Sequence, residues 1–281
     1  MSNENRKVKD SVFVDLFQEC SDAKKNALSL YNALENTSLD NPDIIKNIKI
    51  DDTLYMNLKN DVSFMVENKL LVLVEHQSTV NENMPLRCLL YAGRLYEKIV
   101  KKEVRYRKKL VKVPTPEFIV LYNGTEEYPE HNTLKLSNAF AFDNENIVLE
   151  LIVHVYNINS EVNSDLLKRC NVLNQYTTFM ECIRKYRNDE DGYNKAIKEC
   201  IDNGVLKEYL IEKGSEVRNM LIAEYDYEMD MAVQREEAYE EAYEKAYEKV
   251  HEELSAEYES KLQEKDAEIQ RLKELVDAQK H

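Results

Sequence analysis

The sequence predicts an α/β fold: a mixed central sheet flanked by helices, then a helical extension and a long C-terminal helix or coiled coil. Three observations carry this. Two strand-like apolar segments, 63–66 and 70–74, flank the polar turn Glu67-Asn68-Lys69. Helical periodicity alternates with short apolar runs up to about residue 160. Neither Gly nor Pro occurs from Ser215 to the end of the chain.

The elements follow in order. Asp10 or Ser11 can cap a helix in which Val12, Phe13, Leu16 and Phe17 recur at helical spacing, and Leu28, Leu30, Tyr31 and Leu34 continue the pattern to about Asn36. Asn41-Pro42-Asp43 breaks it. The second arm of the hairpin is apolar on both faces, as expected of a central strand covered on each side by helices. Asn83-Met84-Pro85 starts a helix that runs to about Lys102, with Pro85 in a permissive first-turn position. Residues 118–122 form a short strand stopped by Asn123-Gly124, and 147–156 form the last strand. After Ser164 the pattern is helical, punctuated by Asn203-Gly204 and Gly214. The expected organisation is a core at 9–160, a helical extension at 161–223 and an acidic repetitive tail at 224–281.

With 281 residues, 43% of them hydrophobic, the chain can bury one sizeable core. Its net charge of −15 is unevenly placed: the tail from Glu224 holds 19 Asp and Glu against 8 Lys and Arg, so the acidity says little about what the core binds. No apolar run approaches the roughly 18 residues that cross a membrane, and the opening MSNENRKVKD lacks the apolar stretch of a signal peptide. The five cysteines are scattered, without a CxxC, and the five histidines are scattered too. This predicts a reducing, cytoplasmic setting with buried thiols and argues against a disulfide frame or a zinc site.

The hairpin places the chemistry. With Asn68 at the centre of the turn, paired residues sum to 136 and Asp61 stands opposite Glu75, a separation of roughly 4.5–5.5 Å between Cβ atoms. Two carboxylates so placed repel, and a bound divalent cation relieves the repulsion, since Mg²⁺ takes oxygen ligands. Gln77 lies two residues on, on the face of Glu75. A register shifted by one makes the pair diagonal. The competing reading makes Asp61 and Glu75 solvated residues at strand ends; against it, Glu75 closes a five-residue apolar run that belongs deep in a sheet.

Arg87, Tyr91, Arg94 and Lys98 form one helical stripe, read either as a solvated face or as a device that brings Arg87 to a phosphate. Residues 98–112 hold eight basic side chains opposed only by Glu103. Lys101, Lys102, Arg105, Lys108 and Lys109 there are the best candidates for contacts with a DNA backbone, and no base-reading motif accompanies them. In the tail, the repeat Ala-Tyr-Glu-Glu/Lys at 238–249 precedes a seam of Tyr258, Leu262, Lys265, Ile269, Leu272 and Val276. The seam predicts self-association, a homodimer through the C-terminal helix; a solitary charged helix is the alternative.

The strings Asn60-Asp61-Val62-Ser63-Phe64, Val74-Glu75-His76-Gln77-Ser78-Thr79 and Pro85-Leu86-Arg87 with Tyr91 resemble the recombination-promoting nuclease and transposase family, a bacterial branch of the PD-(D/E)XK nucleases. Asp10-Ser11-Val12-Phe13 with Leu16-Phe17 resembles that family's N-terminal helix motif, and the likeness covers roughly residues 9 to 160. It implies a restriction-endonuclease-like core and Mg²⁺-dependent hydrolysis of DNA phosphodiesters, with Mn²⁺ as a substitute. Asp61 and Glu75 then ligate the metal, the backbone carbonyl of His76 adds a ligand, and Gln77 stands where the wider superfamily has lysine. Glutamine orients a water but brings no charge, which Arg87 can supply. Asp10 is either a helix cap or a third acid reaching the metal. A different class of function stays open: a DNA-binding or adaptor protein whose site has decayed and which assembles through its coiled tail.

Overall fold

The computed structural model describes residues 11–48, 61–67, 69–77, 81–142, 146–162 and 164–278. The chain divides into two compact units, Met1–Glu224 and Tyr225–His281.

The first unit is built on a mixed sheet of six strands: β1 (Ile45–Asn47), β2 (Asp61–Val66), β3 (Lys69–Gln77), β4 (Thr115–Tyr122), β5 (His131–Lys135) and β6 (Ile152–Asn157). Their order across the sheet is β1-β2-β3-β4-β6-β5. β3 runs parallel to β4 and β4 parallel to β6, whereas β1, β2 and β5 pair antiparallel with their neighbours. A parallel neighbour requires a crossover, and the helix α3 (Met84–Ile99) supplies it between β3 and β4.

Helices cover both faces. β4 shows how: Phe118, Val120 and Tyr122 pack with Met84, Cys88, Tyr91, Ala92 and Leu95 of α3. Ile119 and Leu121 face a second, larger core on the opposite side. That core draws on the short N-terminal helix α1 (Val12–Val14), its π-helical continuation Asp15–Glu19, and α2 (Ala23–Glu35). It also takes in α5 (Asp165–Arg169), α6 (Asn171–Tyr186), α7 (Gly192–Asp202) and the first turns of α8 (Lys207–Ala278), up to Leu221. Residues after β6 therefore share one core with the N-terminal helices. A strand buried on both faces has no polar side to show, which is why residues 118–122 read as a continuous apolar run.

Helix ends follow local chemistry. Ser11 accepts the Val14 N–H at 3.2 Å and caps α1. Asn36 ends α2 in the left-handed region at φ 54°, which asparagine tolerates. The last strand begins at Ile152, five residues later than the apolar run suggests; Ile147, Val148 and Leu149 lie exposed ahead of it. β1 and β5 have no counterpart in the sequence reading. All five cysteines are free, and Cys88, Cys170, Cys182 and Cys200 are buried. Among the described residues no helix is long and apolar enough to cross a membrane.

The second unit is helical, the continuation of α8 to Ala278. Tyr239, Tyr243 and Tyr247 of the repeat and Tyr258, Leu262 and Ile269 of the seam are exposed along it.

Candidate active site

The β2–β3 hairpin sets the frame. Val66 pairs with Lys69 across the turn, so two residues are enclosed and every pair sums to 135. Glu67 takes φ 54°, the positive value that a two-residue hairpin turn demands. The expected sum of 136 is thus corrected by one: Asp61 stands opposite Val74, and Glu75 is one residue further along β3, out of direct register with Asp61. The physical reason is the turn, which joins the paired Val66 and Lys69 with two residues where the expected register needs three.

The other flank of β3 carries a second irregularity. Val74 pairs with Val120 and Gln77 with Tyr122, so three steps on β3 match two on β4. The register shifts by one in the Glu75-His76 stretch, an irregularity of the β-bulge kind. Bulges re-aim side chains and recur beside active sites. This one resets the two-residue alternation, and the backbone position of Gln77 takes the register of Tyr122, whose side chain packs with α3. Asp61 lies two residues along β2 from Ser63, whose hydroxyl is 2.8 Å from the Tyr91 hydroxyl on α3. The positions of Asp61 and Gln77 therefore fall on the α3 side of the sheet. They gather where β3 and β4 end, the end of a parallel pair at which α/β sheets bind ligands.

α3 begins at Met84, directly after the loop residues 81–83, with Asn81 accepting the Asn83 N–H at 2.9 Å and Pro85 in its first turn. Arg87, one turn in, is partly buried, with Nη1 3.6 Å from the Met84 sulfur. The stripe of Arg87, Tyr91, Arg94 and Lys98 is not one surface: Tyr91 is core, 6% exposed, while Arg94 and Lys98 are exposed. Its hydroxyl finds a partner in Ser63, which lets a tyrosine occupy a buried position.

The basic segment lies elsewhere. Lys101, Lys102, Arg105, Lys108 and Lys109 are exposed at the far end of α3, around the short helix α4 (Lys102–Arg105). The 16 residues of α3 separate them from the end of β3 by roughly 24 Å at 1.5 Å per residue. Arg105 is also occupied locally, donating to the carbonyls of Val100 (3.0 Å) and Glu97 and so capping the helix.

Asp10 lies outside the described residues, as do the side chains of Asp61, Glu75, His76 and Gln77. Among the described residues no group of three or more His, Cys, Asp or Glu side chains is arranged to hold a metal ion. The sequence reading passed over Asp15. It is 3% exposed, lies in the π-helical turn, and accepts hydrogen bonds from Tyr209 (2.8 Å) and Lys213 (2.7 Å) of α8. Burial and the bond to Asp15 push the Tyr209 phenol far above its ordinary range. The signal was present: Asp15 interrupts an apolar stretch, Val12-Phe13-Val14 and Leu16-Phe17, where an acid must find a buried partner.

Comparison with known families decides the affiliation. The family model described as "Putative transposase, YhgA-like" matches residues 8–210. The chain belongs to the YhgA-like transposase family. The match runs from the N-terminal helices through the whole sheet and into α8, so it takes in both the hairpin and the helices that follow β6. No curated protein and no solved structure matches the chain.

Proposed function

We propose that this YhgA-like transposase is a divalent-metal-dependent DNA endonuclease of the PD-(D/E)XK type, with a restriction-endonuclease-like core and a role in recombination or transposition. The observation that carries the reading is the bulged end of β3. Glu75 and His76 lie where the register shifts, Gln77 follows beside Tyr122, and Asp61 on the neighbouring strand stands opposite Val74, one residue before Glu75. The donor set suits the chemistry: two carboxylates and a backbone carbonyl are hard oxygen ligands of the kind Mg²⁺ and Mn²⁺ prefer. When bound, such an ion neutralises phosphate charge and makes water a better nucleophile.

The chain's own residues then divide the work. Asp61, Glu75 and the His76 carbonyl hold the ion. Gln77 orients the attacking water by hydrogen bonding. Arg87, on the first turn of the helix that follows β3, faces the charge that builds on the scissile phosphate and replaces the charge a lysine at position 77 would bring. Family membership supports action on DNA. The exposed lysines 101, 102, 108 and 109 then contact the duplex backbone some 24 Å from the cut, a distance of about seven base pairs at 3.4 Å each. The exposed Tyr258, Leu262 and Ile269 of α8 pair two copies, which suits an enzyme that must cut both strands.

The test is nicking of supercoiled plasmid by full-length protein with Mg²⁺, with Mn²⁺ and with chelator. Metal-dependent nicking that disappears in both Asp61→Asn and Glu75→Gln is expected. Activity indifferent to chelator would remove the metal from the account.

A further inference from the structure

The five histidines look scattered in the sequence, yet the sheet brings two of them together. His131 opens the edge strand β5, and His154 lies on β6. Thr133 is the direct partner of His154 and Tyr156 the partner of His131, so the two histidines are diagonal neighbours on one face. His131 Nε2 is 3.2 Å from His154 Nδ1, and the rings meet edge to edge, their centroids 5.4 Å apart and their planes within 13° of each other. His131 is exposed and His154 half-buried, with the Tyr156 ring 4.7 Å from that of His131 as a wall. His154 alternates with Val153 and Val155, which pack towards α3, so the pair lies on the opposite face from the positions of Asp61 and Gln77.

We infer that His131 and His154 form a binding site for a borderline divalent transition ion, Zn²⁺ in the first instance. Two imidazole nitrogens at 2.0–2.1 Å from a tetrahedral ion stand about 3.3 Å apart, close to the 3.2 Å of the pair, so a turn of each ring brings both lone pairs onto the ion without moving the strands. Binding needs both facing nitrogens as lone-pair donors. In the metal-free pair one of them carries the proton of the hydrogen bond. That proton moves to the far nitrogen of the same ring when the ion enters, so the rings stay neutral and no net proton is released. Burial, and then the neighbouring His131, lower the affinity of His154 for a second proton, which keeps its lone pair free at neutral pH. Imidazole selects Zn²⁺, Ni²⁺ and Cu²⁺ over Mg²⁺. Among the described residues no third His, Cys, Asp or Glu completes the shell, so water takes the remaining positions. The ion ties the edge strand β5 to β6.

The test is calorimetric titration of full-length protein with ZnCl₂ in excess Mg²⁺, beside His131→Ala, His154→Ala and His76→Ala. One equivalent of Zn²⁺ should bind the wild type and His76→Ala alike, weakened at least tenfold in each of the other two. Zn²⁺ should also raise the thermal midpoint of the wild type and not of His131→Ala, whose exposed position leaves the fold intact. Failure of the wild type to take up Zn²⁺, equal binding by all variants, or a loss confined to His76→Ala would each overturn the assignment.

Discussion

Replacing Asp15 with alanine should destabilise the first unit more than any change on its surface. Asp15 is 3% exposed and accepts both the Tyr209 hydroxyl and the Lys213 ammonium. Asp15→Ala strands a lysine whose side chain is only 21% exposed beside a phenol without its acceptor. Breaking a buried pair by removing one partner costs about 3–5 kcal/mol. Lys213 retains some access to water, which places the expected loss near the lower figure, about 3 kcal/mol. Total stability is about 5–15 kcal/mol, so the loss is a large share of it. With a urea slope of about 3 kcal/mol per molar, the midpoint falls by about 1 M. The chain has no tryptophan and 18 tyrosines, so near-ultraviolet circular dichroism is the suitable probe of tertiary packing. Adding Lys213→Met removes the stranded charge and supplies apolar packing, and should recover most of the loss. A midpoint unchanged in Asp15→Ala, or a double variant no better than the single one, would refute the claim that this pair ties the N-terminal helices to α8.

Three further outcomes follow from the same structure. Changing Lys101, Lys102, Lys108 and Lys109 to Gln should weaken DNA binding irrespective of sequence and flatten its salt dependence by up to about 0.9 in slope per lost contact; an unchanged slope would make them plain surface. Removing residues 226–281 should convert a dimer into a monomer by light scattering, because Tyr258, Leu262 and Ile269 are exposed along α8 and pairing would bury them; a truncated form that still dimerises would contradict this. In the metal-free protein, His154 has its pKa held below the ordinary 6.5 by burial and then by His131. The unfolded chain therefore takes the proton first, and stability should fall as pH drops from about 6.5 through the depressed native value. His154→Asn should flatten that acid limb in urea titrations, and an identical limb in both proteins would show that the pair is not its source.

Much of the fold was legible in the sequence for physical reasons that can be named. Strand 118–122 is buried on both faces and so had no polar alternation to disguise it, and α3 announced itself with Asn83-Met84-Pro85 at its start. The two missed strands lie at the edges. β5 reads His-Asn-Thr-Leu-Lys because one of its faces meets solvent, and β1 has three residues with only Ile45 buried. The hairpin was visible but its register was not: one residue in the turn moves every pair, and nothing in Glu67-Asn68-Lys69 states whether two or three residues close it. The candidate residues of β2 and β3 were found because carboxylates beside an apolar run are conspicuous. Tyr91 was misplaced because a tyrosine on a basic stripe looks amphipathic until Ser63, 28 residues away, supplies its hydrogen bond. Asp15 was missed because its partners lie some 194 and 198 residues along the chain.

Whether the end of β3 hydrolyses DNA is decided by one measurement. Supercoiled plasmid is incubated with full-length protein and Mg²⁺, and nicking rates are compared for the wild type, Asp61→Asn, Glu75→Gln and Gln77→Lys, with folding checked by circular dichroism. Removing a metal-holding carboxylate should abolish nicking in the first two variants, while Gln77→Lys, which adds charge beside the reacting phosphate, should retain or raise it. Nicking at the wild-type rate in Asp61→Asn and Glu75→Gln, in preparations free of other nucleases, would contradict the account.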